Sequence, residues 1–293
     1  TLPDPGLIRH AIPWFQPDTC LGDTSISSST DYYNACSTSY DGVPYNFAGY
    51  QYARTGNAYA GLGFLAGLTN NLKEYLEVKL IQPLESGKMY CVEFYVALSD
   101  LGGFPSLTTD AFHLAFSDTI VYNNCGLPLL LQPDVFNPIG QLISDTLNWT
   151  RISGKYVARG GEQYILIGNF YDNSNCLIDS TGSPAFDLAY YLVDDVSVKL
   201  CDGTIAAPNV FTPNNDNSND FFQIQEEGIK NYSCRIFNRW GNEVAIITNN
   251  DEGWNGKNKD GNDCPEGVYY YFLSGIDYNE KEYNLKGFVQ LLR

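Results

Sequence analysis

The sequence is poor in the residues that most often carry chemistry: 293 residues hold two histidines, one methionine and 17 lysines and arginines. A Ser-His-Asp or Cys-His arrangement would have to use His10 or His113. Neither has a recognisable context, and His113 lies in the alternating segment DAFHLAF, which reads as a strand with a structural histidine. GxSxG, HExxH, phosphate-loop and CxxC patterns are all missing. Their absence removes the motif-defined routes to hydrolases, zinc ribbons and thioredoxin-like redox enzymes. The 34 acidic residues offer many carboxylate pairs, but spacing selects none as a glycosidase pair. The reading is a non-catalytic protein that requires no cofactor.

The shortage of basic residues leaves a formal net charge of -17, which excludes nucleic acid as a partner. An acidic surface suits a soluble exported protein and is compatible with divalent cations and neutral glycans. No apolar run reaches membrane-spanning length, since the greasiest segment, Gly126 to Leu131, is broken by Pro128 and stopped by Pro133. No stretch sustains a helical apolar period for three turns. The chain opens at TLPDPG without a charged leader or apolar signal core, and the expectation is that a signal peptide has been removed.

What is present is strand and turn chemistry. Candidate strands run from Ala58 to Leu65, Tyr75 to Ile81, Met89 to Leu98, Ala111 to Phe116, Trp149 to Tyr156, Gln163 to Phe170 and Tyr190 to Leu200, with Gly, Pro, Asn and Asp clusters between them. Tyr90, Val92, Phe94, Val96 and Leu98 share one strand face and form the expected core set, with Cys91, Glu93 and Tyr95 on the other. The fold class is all-β: a jelly-roll sandwich over residues 1–202, then a small immunoglobulin-like sandwich over 203–293. In the second part, strands are expected from Cys234 to Trp240, Val268 to Leu273 and Tyr283 to Leu292.

Eight cysteines with one methionine fit an oxidising compartment and a disulfide framework. Cys91 and Cys201 both point away from the core and are plausible partners if their strands neighbour each other. Cys20 with Cys36 would close a short loop, and Cys125 with Cys176 would tie two long ones; spacing leaves other connectivities open. Cys234 and Cys264 must pair together if each domain pairs internally.

The region after Pro213 crowds Asn214, Asn215, Asp216, Asn217, Asn219 and Asp220 into a short loop, either a tight turn or, with Asn214, Asp216 and Asp220 as ligands, a Ca2+ loop. The ordered blocks PNVFTPNNDNSNDFF, IFNRWGNEV, GWNGKNKDG, CPEGVYYYF and LKGFVQLLR, spanning Pro208 to Arg293, resemble the gliding-motility-associated C-terminal domain. That resemblance implies a sorting signal of type IX secretion, the secretion machinery as a partner, and a secreted, extracellular or cell-surface location. The sequence departs from the family at Asn215-Asp216-Asn217, where Asn-Gly-Asp-Gly is usual.

The first part more weakly resembles galactose-binding and carbohydrate-binding jelly rolls, through PDPGLI, the Trp149 to Phe170 segment and YYLVDDVSV. This implies a structural Ca2+ held by the backbone near Gly6 and the carboxylate of Asp195; the alternative is a solvated bulge at Asp194 and Asp195. A glycan contact would fall on Trp14, Tyr32, Tyr33, Tyr40, Tyr45, Tyr50 or Tyr52, and its test is whether two or three of these rings lie exposed and coplanar. Asp118-Thr119-Ile120, Asp145-Thr146-Leu147 and Asp179-Ser180-Thr181 resemble the O-glycan acceptor sequence of bacteria with this secretion system, which marks Thr119, Thr146 and Ser180. The sequence therefore reads as an exported structural or adhesive protein, with self-association into an oligomer or polymer expected through edge strands; a glycan-binding protein is the alternative.

Overall fold

The computed structural model describes residues 6–8, 11–17, 30–66, 73–100, 107–122, 128–180, 187–249 and 251–293. The chain divides into two compact units, the first reaching Lys199 without Gly87–Met89, the second made of Gly87–Met89 and Leu200–Arg293. Among the described residues no helix is long and apolar enough to cross a membrane. A short 3-10 turn, Asn173–Asn175, interrupts an architecture of strands.

The first unit is built on two antiparallel sheets. One has six strands in the order Gly6–Leu7, Asp31–Asn34, Ala58–Ala66, Leu188–Leu200, Met89–Leu98 and Thr150–Val157; the other has four, ordered Val135–Phe136, His113–Ser117, Tyr164–Gly168 and Tyr75–Lys79. From Ala58–Ala66 onward the chain passes repeatedly between the sheets, so that the last long strand lies between two earlier ones, as in a jelly roll. Alternation decides what lies between the sheets. Leu62, Phe64, Val92, Phe94, Val96, Tyr191 and Val193 from one sheet meet Leu76, Val78, Leu114, Phe116, Ile165 and Ile167 from the other in a single core. The expected core set on Met89–Leu98 is buried throughout, while Cys91, Glu93 and Tyr95 are half-buried.

In the second unit Val210–Phe211 runs parallel to Glu282–Leu291, which pairs with Gly267–Asp277, then Ile229–Phe237, then Glu243–Thr248. A short ladder of Thr204–Ala206 with Gln225–Glu227 and a bridge between Phe222 and Trp254 lie outside this sheet, and their side chains Ile205, Phe222 and Trp254 share one core with Phe211, Ile236, Tyr269, Leu273, Val289 and Leu291. The unit is thus a small sandwich. Glu243–Thr248 is a strand that the sequence reading does not pick out: EVAIIT alternates weakly and gains its place by pairing with Ile229–Phe237.

Candidate functional site

The six-stranded sheet has a second buried face. Tyr33, Tyr59, Tyr190 and Leu192 alternate with the core-facing residues of their strands and so point outward, where the chain between Asn34 and Ala58 folds over them. Tyr33 packs against Tyr59 and Phe47 at ring separations of 5.3 and 5.6 Å, and Trp149 closes on Tyr59 at 5.8 Å. Asn46 donates to the Tyr59 hydroxyl at 2.8 Å, Tyr59 donates to the Gln51 carbonyl at 3.1 Å, and the Ser99 hydroxyl donates to the Ala48 carbonyl. These bonds fix the covering segment to the sheet.

On this fixed layer stands a crown of tyrosines. The two-stranded hairpin Tyr45–Asn46 and Gly49–Tyr50, turned where Gly49 takes φ 120°, sets Tyr45 opposite Tyr50. Their rings meet edge to face at 4.8 Å and 71°, and Tyr50 meets Tyr52 at 5.6 Å and 84°. Tyr45 is 74% exposed, Tyr50 44% and Tyr52 60%, with Tyr40 and Phe47 also exposed beside them in sequence. Three of the tyrosines singled out in sequence are therefore brought together and exposed, but they are not coplanar. Tyr33 is fully buried, and Tyr32 and Trp14 line a separate cavity of about 210 Å3 with Tyr59, Asp194 and Asp195.

Beside that cavity the Asp195 carboxylate is already engaged. It pairs with the Arg54 guanidinium and accepts from the Thr55 hydroxyl at 2.5 Å, while Asp194 accepts from the Arg54 backbone N–H at 2.8 Å. Arg54 also stacks 3.5 Å over the Tyr95 ring. The Ca2+ expected at Gly6 and Asp195 does not fit this arrangement, because a cation already sits on the carboxylate. Asp195 has φ 48°, and the backbone at Gly6 pairs with Tyr32.

In the Asn214 to Asp220 loop, Asp220 accepts from the N–H groups of Asn215 and Asn217 at 2.6 and 2.8 Å, and Asp216 from Ser218 N–H at 2.8 Å. Asn215, Asn217 and Asn219 all take positive φ. N–H donors converge on these carboxylates, which is turn chemistry and not the oxygen cage of a Ca2+ loop. Among the described residues no group of three or more His, Cys, Asp or Glu side chains could hold a metal.

Cys91 and Cys201 are disulfide-bonded. Cys36, Cys176, Cys234 and Cys264 are free thiols, so the expected pairs Cys20 with Cys36, Cys125 with Cys176 and Cys234 with Cys264 are not formed. Cys20 and Cys125 themselves lie outside the described residues. Cys176 caps the C-terminal end of the 3-10 turn, donating to the Asp172 carbonyl and accepting from Asn169. Cys234 faces the core from Ile229–Phe237, and Cys264 is buried with its N–H bound to the Gly256 carbonyl at 2.8 Å. Both act as small apolar core residues, and burial pushes the Cys234 thiol up to about 12.

His113 is buried, its Nδ1 accepts from the Phe170 N–H at 3.0 Å, and burial lowers its pKa to about 4, so it stays neutral. Of the candidate acceptor residues, Thr119 and Ser180 are exposed and Thr146 is half-buried.

Sequence reading did not find the polar group beneath the crown. Asp31 is buried and accepts from the Tyr190 hydroxyl, which lies 2.8 Å from that of Tyr33. Burial raises Asp31 to about 7. Gly61 is the one sequence signal for this packing: a Cβ there would lie 2.4 Å from the Tyr190 hydroxyl and 2.6 Å from the Tyr33 ring.

Residues 205–291 match the CHU_C type IX secretion signal domain. No curated protein sequence matches the chain. Similar solved structures include the K1 cleaved adhesin domain of Lys-gingipain from Porphyromonas gingivalis W83, at 16% identity, TM-score 0.30, 64% of this chain and 91% of that one. The adhesin domain of Epf from Streptococcus pyogenes is 13% identical, with TM-score 0.27, 80% of this chain and 76% of that one. The CBM22-1-CBM22-2 tandem of Xyn10C from Paenibacillus barcinonensis is 11% identical, with TM-score 0.31, 94% of this chain and 84% of that one.

Proposed function

We propose, from a chain whose residues 205–291 match a type IX secretion signal and which is therefore secreted or cell-surface, that this is a non-catalytic adhesive protein. The C-terminal unit addresses the molecule, and the tyrosine crown of the first unit makes the adhesive contact. The crown carries this reading: Tyr45, Tyr50 and Tyr52 stand exposed on a hairpin anchored to a buried aromatic layer. Tyrosine offers a large amphipathic contact area with few rotatable bonds, so a rigid cluster loses little entropy on binding.

The ring geometry favours a protein surface as the target. Edge-to-face rings at 71° and 84° present ridges and hydroxyls, whereas a pyranose platform needs a flat face. Glycan binding is the second reading, supported by the exposure of each single ring. The test is capture of whole cells by the immobilised full chain, compared with Tyr45→Ser/Tyr50→Ser/Tyr52→Ser. Loss of at least about tenfold in captured cells is expected, since such aromatic anchors dominate interfaces. Equal capture would refute the crown's role, and retardation of the full chain by one glycan in affinity electrophoresis would replace the protein target with a sugar.

A further inference from the structure

The outer face of the second unit's sheet is aromatic where a solvated face should be polar. On Gly267–Asp277 the residues Tyr269, Tyr271 and Leu273 turn inward, so Val268, Tyr270 and Phe272 turn out. Register places Phe288 and Phe237 on either side of Tyr270, and Lys286 and Arg235 on either side of Phe272. Phe237 meets Phe272 edge to face at 5.6 Å. Tyr270, Phe272 and Phe288 are 51%, 56% and 55% exposed, and the open groove they share with Arg239 and Lys286 measures about 610 Å3. A cluster of this kind, rimmed by charge, marks an interaction site.

The rim is cationic in an acidic chain. Arg235, Arg239, Lys259 and Lys286 gather here, out of 17 basic residues in a molecule of net charge -17. Glu243 is neutralised by Arg235 at 2.5 Å and Lys259 at 2.6 Å. Arg239 and Lys286 form no ion pair with a described residue, and Arg239 also lines a neighbouring cleft with Asp263 and Glu266. Positive charge on an interface steers an acidic partner towards it.

We infer that this face, Phe237, Tyr270, Phe272 and Phe288 with Arg239 and Lys286, is the surface by which a component of the type IX secretion machinery binds the folded signal domain, through an apolar patch ringed by carboxylates. The inference rests on the export reading. The signal match runs over residues 205–291, and the strands Ile229–Phe237, Gly267–Asp277 and Glu282–Leu291 each supply side chains to this face.

The test uses the full chain in its producing bacterium. Tyr270→Ser/Phe272→Ser/Phe288→Ser is expected to lower the exported fraction at least tenfold, with the protein accumulating in the periplasm. Because exposed side chains are replaced, purified variants should melt within a few degrees of the parent; the charge reversal Arg239→Glu/Lys286→Glu, which leaves the sheet packing alone, should also lower export several-fold. Normal export of both folded variants, while removal of residues 203–293 blocks it, overturns this inference and leaves the export reading standing. Normal export after that removal overturns the export reading. Normal export of both variants with a change from polymer to monomer on a sizing column would assign the face to a second copy instead.

Discussion

Asp31 gives the sharpest prediction about stability. Its carboxylate lies under the aromatic layer, accepts from Tyr190, and has burial as the main cause of its rise from 3.8 to about 7. The folded chain therefore holds this proton more tightly than the unfolded chain. Below about pH 4 both states carry it. As pH rises from there towards 7 only the unfolded state releases it, so stability falls across that window and levels off above it. A rise of about three pH units at roughly 1.4 kcal/mol each makes the loss on the order of 4 kcal/mol. Asp31→Asn preserves the shape and an oxygen to accept from Tyr190, but has no charge to bury. Urea unfolding at pH 4.5 and pH 8 should show the variant gaining on the parent by several kcal/mol between the two. Taking the difference between the two proteins removes the effect of the -17 net charge and of Glu77, which burial also raises to about 7. A variant-to-parent difference that is the same at both pH values would refute the reasoning.

Gly61→Ala should destabilise the first unit by about 1–3 kcal/mol, read as a lowered urea midpoint, because its Cβ would overlap Tyr190 and Tyr33. Maleimide labelling of native protein should modify Cys36, which is exposed, within minutes and leave Cys234 unlabelled until the chain is unfolded. Adding Ca2+ or a chelator should leave the melting temperature unchanged, since Asp195 and Asp220 are already committed to Arg54, Thr55 and backbone N–H groups. If Thr119 or Ser180 accepts an O-glycan, the intact mass of protein from the producing bacterium will exceed that of the bare chain, and alanine at these positions will remove the excess.

The parts of the fold written as alternation were legible in the sequence. Met89–Leu98 has its predicted bounds and its predicted inward set, because strict alternation on a central strand leaves one register that buries Val92, Phe94 and Val96. The ordered blocks from Pro208 onward were legible as a sorting domain for a different reason, being a resemblance and not a physical signal. Cysteine pairing was not legible: a count suggests a framework, but Cys234 sits on a core-facing strand position where its thiol packs as a small apolar side chain. Asp195 was marked as a Ca2+ ligand by resemblance alone; its partners in the structure, Arg54 and Thr55, lie far away in sequence and nothing local announces them. The tyrosine crown was half legible. Tyr45, Tyr50 and Tyr52 stood out by composition, but their edge-to-face geometry depends on a hairpin whose strands are only two residues long.

The role of the C-terminal unit as an export address is tested most directly by where the chain goes without it. The full chain and a form ending at residue 202 should be expressed in the producing bacterium and their amounts compared in periplasm, cell surface and medium. The full chain is expected on the surface or in the medium and the shortened form, still soluble, in the periplasm. Recovery of the shortened form outside the cells at the level of the full chain would contradict it.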